Sequence, residues 1–425
     1  MKLSIDSLDA EGRGVARNPE GKVVFVEGAL PGEQVLFDLI RKKNAFEVGR
    51  VTQIVQAASS RQVPRCPHFG VCGGCSLQHA DSRTQMAAKQ RWLEENLARI
   101  GKVQPEMLLP IVYGEDWHYR RRARLGARYV DKKGGALVGF RERRSSYITE
   151  MVECHVLPAR ISALILPLRA LVQSLGARAR VPQIEVAVGD NQAVLVIRHL
   201  DPLSDPDRDL VERFARDHAI QVWLQPGGPE SARPFHPPES ELYYDLPEFG
   251  LRLHFGPTDF TQVNHGVNRI LVSRAVRLLE PRPGERIADL YCGLGNFSLP
   301  LATRGAEVIG FEGSKDLVER ARRNAADNAL AVQFEVADLL KEGFKSYGPF
   351  EKLLIDPPRE GAIEIVKALP ADWPRRIVYV SCDPATLSRD AGVLVHARGF
   401  RLAAAGVVNM FPHTAHVESI AWFER

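Results

Sequence analysis

From Phe255 onward the chain alternates short apolar strands with amphipathic helices, and no other feature constrains the fold as tightly. Parallel strands need long crossovers, usually helices, so this alternation predicts a parallel α/β sheet covered on both faces. Within it, DLYCGLGNFSLPLA (289–302) reads as a strand end, a glycine-rich turn and the start of a helix. Nineteen residues past Gly293, Glu312 stands near the end of the strand EVIGFEGS (307–314). That is the layout of a nucleotide-binding turn, with glycines for close backbone approach and an acid for ribose hydroxyls. The third glycine of a dinucleotide fingerprint is missing, which suits a ligand without pyrophosphate, such as S-adenosylmethionine. A plain βα turn is the alternative.

Further acids and a thiol fall at successive strand ends. Asp338 ends VQFEVAD, where it can accept from an adenine amino group; Asp356 closes the strand opening LLIDPPREG, and Cys382 the one opening RIVYVSCDP. The carboxyl ends of strands in a doubly wound sheet share one crevice, so Glu312, Asp338, Asp356 and Cys382 should converge there. Glu418 lies in the strand-like run HVESIAWFE, where period-2 alternation puts it on the face of Ile420 and Trp422. A buried carboxylate is costly unless it is paired or used. A glutamate at a surface edge is the alternative.

The chain has 425 residues, enough for about three domains. Residues 1–57 carry short Val-, Phe- and Ile-rich runs (Val23–Val26, Val35–Ile40, Val48–Val55) between glycine turns. Several short strands in so few residues predict a small closed barrel of the oligonucleotide-binding kind. A helix is predicted near Asp81–Ile100, others near Leu157–Leu175 and Pro206–His218, and a hairpin pairs Gln183–Val188 with Ala193–Arg198. The Pro/Gly-rich stretch Pro226–Pro238 reads as a loop or linker. The longest apolar run is broken by Pro167 and Arg169, and the first twenty residues hold no apolar core of signal-peptide length, so a cytoplasmic protein is expected.

Cys66, Cys72 and Cys75 crowd one loop, with Cys154 far along the chain. Three thiols on a glycine-rich loop and a fourth from elsewhere fit either a [4Fe–4S] cluster or a four-cysteine zinc site. Between His118 and Arg144 ten Lys or Arg residues (Arg120, Arg121, Arg122, Arg124, Arg128, Lys132, Lys133, Arg141, Arg143 and Arg144) face two acids, with Tyr119, Tyr129 and Phe140 interleaved. Cations for phosphates and rings for unpaired bases point to nucleic acid, against the plainer reading of a solvated face.

Taken together, Cys66-x5-Cys72-x2-Cys75, DFTQVN (259–264), DLYCGLGNF, IDPPR, VSCDPATLSRD (380–390) and FPHTAHVES (411–419) resemble the RNA uracil-5-methyltransferases, essentially end to end. The barrel resembles the TRAM domain, which implies the branch acting on a specific uridine of 23S ribosomal RNA. The resemblance implies a multidomain α/β chain. Its parts would be the OB-like TRAM barrel (1–57), a central α+β domain with the iron–sulfur loop and a basic RNA-binding surface (58–83 and 116–250), and a Rossmann-like S-adenosylmethionine-dependent methyltransferase domain (84–115 and 251–425). By the same resemblance Cys66, Cys72, Cys75 and Cys154 ligate a [4Fe–4S] cluster. Gln262, Tyr291, Asn296, Glu312 and Asp338 hold S-adenosylmethionine, and Asp356 lies at its methionine end. Cys382 is the nucleophile, Glu418 the general base, and Cys292 a packing residue. A monomer is expected. The alternatives are tRNA uracil-5 methylation, which the TRAM-like unit and the cysteine loop oppose, and a non-catalytic iron–sulfur RNA-binding protein. Cytosine-5 methylation is disfavoured because Ser381, not Pro or Thr, precedes Cys382.

Overall fold

The computed structural model describes residues 2–239, 241–339 and 343–425; the side chain of Lys133, one of the basic residues above, lies outside the described set. The first six strands pair in the order Lys2–Ser4, Gln34–Lys42, Phe46–Gln56, Val23–Glu27, Gly14–Arg17, Ser7–Leu8. The two edge strands of that sheet are only two residues apart in the chain, so the sheet must roll up. Ile5 N donates to Glu33 O at 2.9 Å on one side and Asp6 N to Val15 O at 2.8 Å on the other, closing the barrel. Its core is Leu3, Ile5, Ala16, Val24, Val26, Val35 and Phe37.

A second six-stranded sheet follows, in the order Arg233–His236, Gln221–Gln225, Ala193–Arg198, Gln183–Val188, Arg122–Val130, Gly135–Gly139. Part of the Pro226–Pro238 stretch is therefore not linker: Arg233–His236 is an edge strand paired with Gln221–Gln225. Pro234 is tolerated because an edge leaves one side of the strand unpaired. The helix predicted over Leu157–Leu175 is two, Ala159–Ser162 and Ile165–Ser174. Pro167 falls in the first turn of the second, where a missing N–H costs nothing.

The third sheet has eight strands, in the order Gln333–Val336, Glu307–Glu312, Arg286–Leu290, Lys352–Ile355, Arg376–Ser381, Glu418–Glu424, Arg401–Val408, Met107–Leu108. The first five are mutually parallel. Glu418–Glu424 runs antiparallel between its two neighbours. The chain winds leftward from Arg286–Leu290, then crosses to Lys352–Ile355 on its other side, so a crevice opens at that switch point.

Residues far ahead in sequence complete this domain. Ser82–Asn96 is a helix whose N-cap, Asp81, accepts from Thr84 N at 2.7 Å. Its Trp92 and Leu93 join one buried cluster with Ile355, Tyr379 and Leu387, and Trp92 Nε1 donates to Leu8 O of the barrel at 2.9 Å. One indole thus ties barrel to sheet. Trp92→Ala should cost about 3–5 kcal/mol of stability, whereas Trp92→Phe, which loses mainly the hydrogen bond, should cost about 1 kcal/mol. Urea denaturation followed by circular dichroism checks both; equal losses would show that the bond, not the packing, carries the joint.

Candidate active site

The turn after Arg286–Leu290 needs left-handed residues at three alternate positions, Tyr291 (φ 65°), Gly293 (φ 55°) and Gly295 (φ 95°). Tyr291 accepts a conformation that side chains seldom adopt, and the turn around it is held from several sides. Cys292 N donates to Phe311 O at 3.0 Å and Gly295 N to Cys292 O at 3.0 Å. Glu312 accepts from Gly293 N at 3.2 Å and from Ser314 N at 2.9 Å, so its carboxylate bridges the ends of two adjacent strands. Cys292 is buried, and a Cβ on Gly310 would meet its Sγ at 2.9 Å, so this thiol fills the space that a glycine leaves.

Asn296 lies inside a polar cluster that sequence reading missed. Its Oδ1 accepts from Tyr244 Oη and from Asn268 Nδ2, both at 2.9 Å, and its Nδ2 donates to Asn268 Oδ1 at 3.0 Å. The amide thereby pins the glycine turn to the His265–Leu279 helix, which starts directly after the DFTQVN segment. Asn264 caps that helix by accepting from Val267 N at 3.1 Å. Gln262, two residues earlier, is half-buried, and Asp338 is exposed just past the Gln333–Val336 strand. Burial, and then Asp390, Glu312 and Asp338 in turn, raise the Tyr291 phenol, so these acids lie within electrostatic range of its ring.

At the other end sit Asp356, Cys382 and Glu418. Ser381 pairs with Ser419, so extending that antiparallel register by one residue sets Cys382 opposite Glu418. Glu418 also pairs with Val408 on its far side and is 3% exposed, so it lies in the sheet interior and not at a surface edge. Burial, and then the neighbouring Asp356, raise its carboxyl well above the usual range. Burial pushes Asp356 up to about 7. Cys382 is pushed up to about 12 by burial, then by Glu418 and Asp356, with Arg359 pulling the other way. A further buried acid, Asp289, is also raised to about 7, first by burial and then in part by Asp356 and Glu312, while a hydrogen bond from Ser298 opposes. Its signal was available: a carboxylate inside the apolar run RIADL.

The cysteines meet at a separate place. Cys66, Cys72, Cys75 and Cys154 line one cavity of about 210 Å³ together with Phe69, Tyr119 and His416. The loop is docked by Gly73 N to Arg141 O at 2.9 Å and Arg143 N to Val71 O at 2.8 Å; a Cβ at Gly73 would meet that Arg141 oxygen at 3.1 Å. Among the described residues no three His, Cys, Asp or Glu side chains are close enough to hold one metal ion. Beside the loop, Arg124, Arg128, Arg141, Arg143 and Arg144 line a groove of about 860 Å³. Two other members of the basic stretch are committed inside the protein: Arg121 to Asp190, and Arg122 to Thr258 O at 2.8 Å.

A doubly wound sheet with a pinned glycine turn and an acid at the second strand defines a Rossmann-like nucleotide-binding fold, and the whole chain overlays on a solved methyltransferase. The Pyrococcus abyssi tRNA (uracil-54, C5)-methyltransferase in complex with S-adenosyl-L-homocysteine matches over 100% of both chains with TM-score 0.76 at 24% identity, which establishes the fold. The tRNA (Uracil-5-)-methyltransferase family model matches residues 250–425, and the TRAM domain model residues 1–36. The chain is 60% identical to the 23S rRNA (uracil(1939)-C(5))-methyltransferase RlmD of Nitrosospira multiformis, over 99% of this chain and 98% of that one. It is also 60% identical to RlmD of Thiobacillus denitrificans, over 100% and 99%. The chain belongs to the RlmD family of RNA uracil-5-methyltransferases. Because an archaeal tRNA enzyme shares the full-length architecture, a TRAM-like unit does not by itself argue against tRNA; sequence identity over the whole length makes that distinction.

The charges around Cys382 generate a prediction. Asp356→Asn removes a negative neighbour, so the thiol should ionise more readily. Alkylation by iodoacetamide at pH 8, followed by peptide mass spectrometry, should be several-fold faster at Cys382 in this variant. An unchanged rate would mean that Asp356 does not bear on the thiol and that burial and Glu418 set it.

Proposed function

We propose that this chain transfers a methyl group from S-adenosylmethionine to C5 of a uridine in 23S ribosomal RNA, at the position its relatives' names give as 1939. The observation that carries the reading is the thiol and carboxyl of Cys382 and Glu418 set side by side at the strand-end crevice. Uracil C5 is too weak a nucleophile to take a methyl group unaided. The Cys382 thiolate adds to C6, and the C5=C6 electron pair moves onto the O4 enolate, which makes C5 nucleophilic. The cofactor supplies a methyl group on a sulfonium, whose S–CH3 bond breaks with both electrons going to sulfur as C5 takes the methyl. Glu418 then removes the C5 proton; the C–H electrons re-form C5=C6 and expel the thiolate. The base must leave its stack to reach Cys382, and the basic groove beside the cysteine loop is suited to hold the flanking strand.

Glu312 would hold the ribose and Asp338 the adenine. Tyr291 and Gln262 would contact the cofactor from the turn and from the DFTQVN segment. Asn296 would act through the turn that it pins, and Asp356 would stand between the methionine end and the substrate. We assign Cys66, Cys72, Cys75 and Cys154 to a [4Fe–4S] cluster. The donor set suits it: four thiols surround one cavity, and a cluster spreads its ligands over four irons where zinc gathers them around one. Such a group would convert four thiols that burial holds protonated into bound thiolates. Residues 84–115 we group with the methyltransferase domain, because Trp92 and Leu93 pack in its core.

Cys382→Ala should form no covalent adduct with 23S rRNA and transfer no methyl group. Glu418→Gln keeps shape and volume but lacks the base, whose contribution is about 10²–10⁴ in rate, so it should methylate once and stall. A denaturing gel with methyl-labelled cofactor should show a shifted, labelled band for Glu418→Gln alone; free turnover of that variant would assign the base elsewhere. Anaerobically purified protein should be brown and carry about four irons per chain. Colourless protein with one zinc would overturn the cluster.

A further inference from the structure

Glu418 opens its strand, so its position depends on how the loop before it is held. That loop is gripped by residues from far ahead in the chain. Lys89 Nζ donates to Asn409 Oδ1 and to Phe411 O, both at 2.8 Å, and Tyr119 Oη donates to Pro412 O at 2.9 Å. The grip is tightest at His413, which is 1% exposed and sits in the left-handed region at φ 65°. Its N–H donates to Gln85 Oε1 at 2.8 Å, and its Nδ1 lies 3.2 Å from Gln85 Nε2. Its carbonyl accepts from Ser76 N and Leu77 N, both at 2.9 Å, and its ring stacks on Trp117 with centroids 3.8 Å apart. Ser76 and Leu77 directly follow Cys75. Beyond His413, the bonds of Thr414 and His416 are internal to the loop: Thr414 N to Phe411 O at 3.3 Å, and His416 N to Thr414 Oγ1 at 3.3 Å. Both residues also line the four-cysteine cavity.

We infer that His413 is a positioning residue for Glu418, the joint through which the cysteine loop and the Ser82–Asn96 helix set the carboxylate over the substrate. The inference rests on the reading of Glu418 as the general base. Cys382 depends less on this joint, because its strand is held by parallel pairing with Lys352–Ile355 as well as by pairing with the Glu418 strand. Loosening His413 should therefore spare thiolate addition and slow proton removal, a split that a general loss of structure would not produce.

The test uses full-length protein, a 23S rRNA fragment containing the target and methyl-labelled cofactor. Adduct formation and adduct breakdown are timed separately on denaturing gels for His413→Ala, His413→Asn, Gln85→Ala and Glu418→Gln. His413→Ala should form the adduct within about twofold of the parent rate and break it down about tenfold to a hundredfold more slowly, as a displaced catalytic group does. Methylated adduct should accumulate. His413→Asn, which tolerates the left-handed conformation, should recover most of the loss. If His413→Ala does not fold, Gln85→Ala, which frees the same N–H, gives the same readout. Equal slowing of both steps, or of neither, would overturn the inference. If Glu418→Gln accumulates adduct and the His413 and Gln85 variants do not, the base stands and the joint falls; if Glu418→Gln turns over freely, both fall.

Discussion

The antiparallel pairing of Glu418–Glu424 with Arg376–Ser381 is the constraint on which the rest of the structure depends. It inserts the last strand of the chain between two others, so both of its edges are paired. It also fixes which residues meet, since a slip of one position would turn Glu418 to the opposite face and separate it from Cys382. The inward positions of these strands, Val378, Val380 and Ile420, are part of the core that includes the His265–Leu279 helix. That helix carries Asn268, which holds the glycine turn through Asn296. Cofactor turn and thiol–carboxyl pair are thus located by one packed face.

This arrangement explains why N-terminal residues are built into a C-terminal domain. The sheet ends at Arg401–Val408, whose outer edge would be a row of unpaired backbone groups. Met107–Leu108 pairs with it, and Val112 N donates to Val407 O at 3.0 Å to extend the cover. The Ser82–Asn96 helix then lays Trp92 and Leu93 over the opposite face. A domain closed in this way cannot separate from the cysteine loop, which lies only a few residues ahead of that helix in the chain.

How far this was legible in the sequence depends on the range of the interactions. The strand ends carrying Glu312, Asp356 and Cys382 could be read because strand, turn and helix signals are local. The burial of Glu418 could be read only as one of two alternatives, because sheet order is set by contacts between distant segments. Asn296 read as a ligand-facing residue, yet most of its amide is taken by Tyr244 and Asn268, which carry no local mark. In the basic stretch charge could be counted but direction could not: Arg124 and Arg128 line the open groove, whereas Arg121 is drawn to Asp190. Pro234 misled because prolines signal linkers, and nothing nearby reveals that an edge position was waiting for it.

The crowding of Cys382, Asp356 and Glu418 looks self-defeating, since each negative charge opposes the next. It resolves under the proposed mechanism, in which the charges come in order. Addition to uracil moves the thiolate's negative charge out of the sulfur and into the base, where methyl transfer from a cation neutralises it. From addition onward the sulfur beside Glu418 would be a neutral thioether, so no thiolate charge would oppose ionisation of the carboxyl, while burial and Asp356 still hold it up. Under the proposed mechanism Glu418 would ionise more readily once Cys382 is bound to the uracil than while Cys382 is a thiolate. Arg359, which favours the thiolate, would help at the earlier stage. Under that mechanism the two groups need never be charged at once in this buried space, and their proximity would favour addition before proton removal.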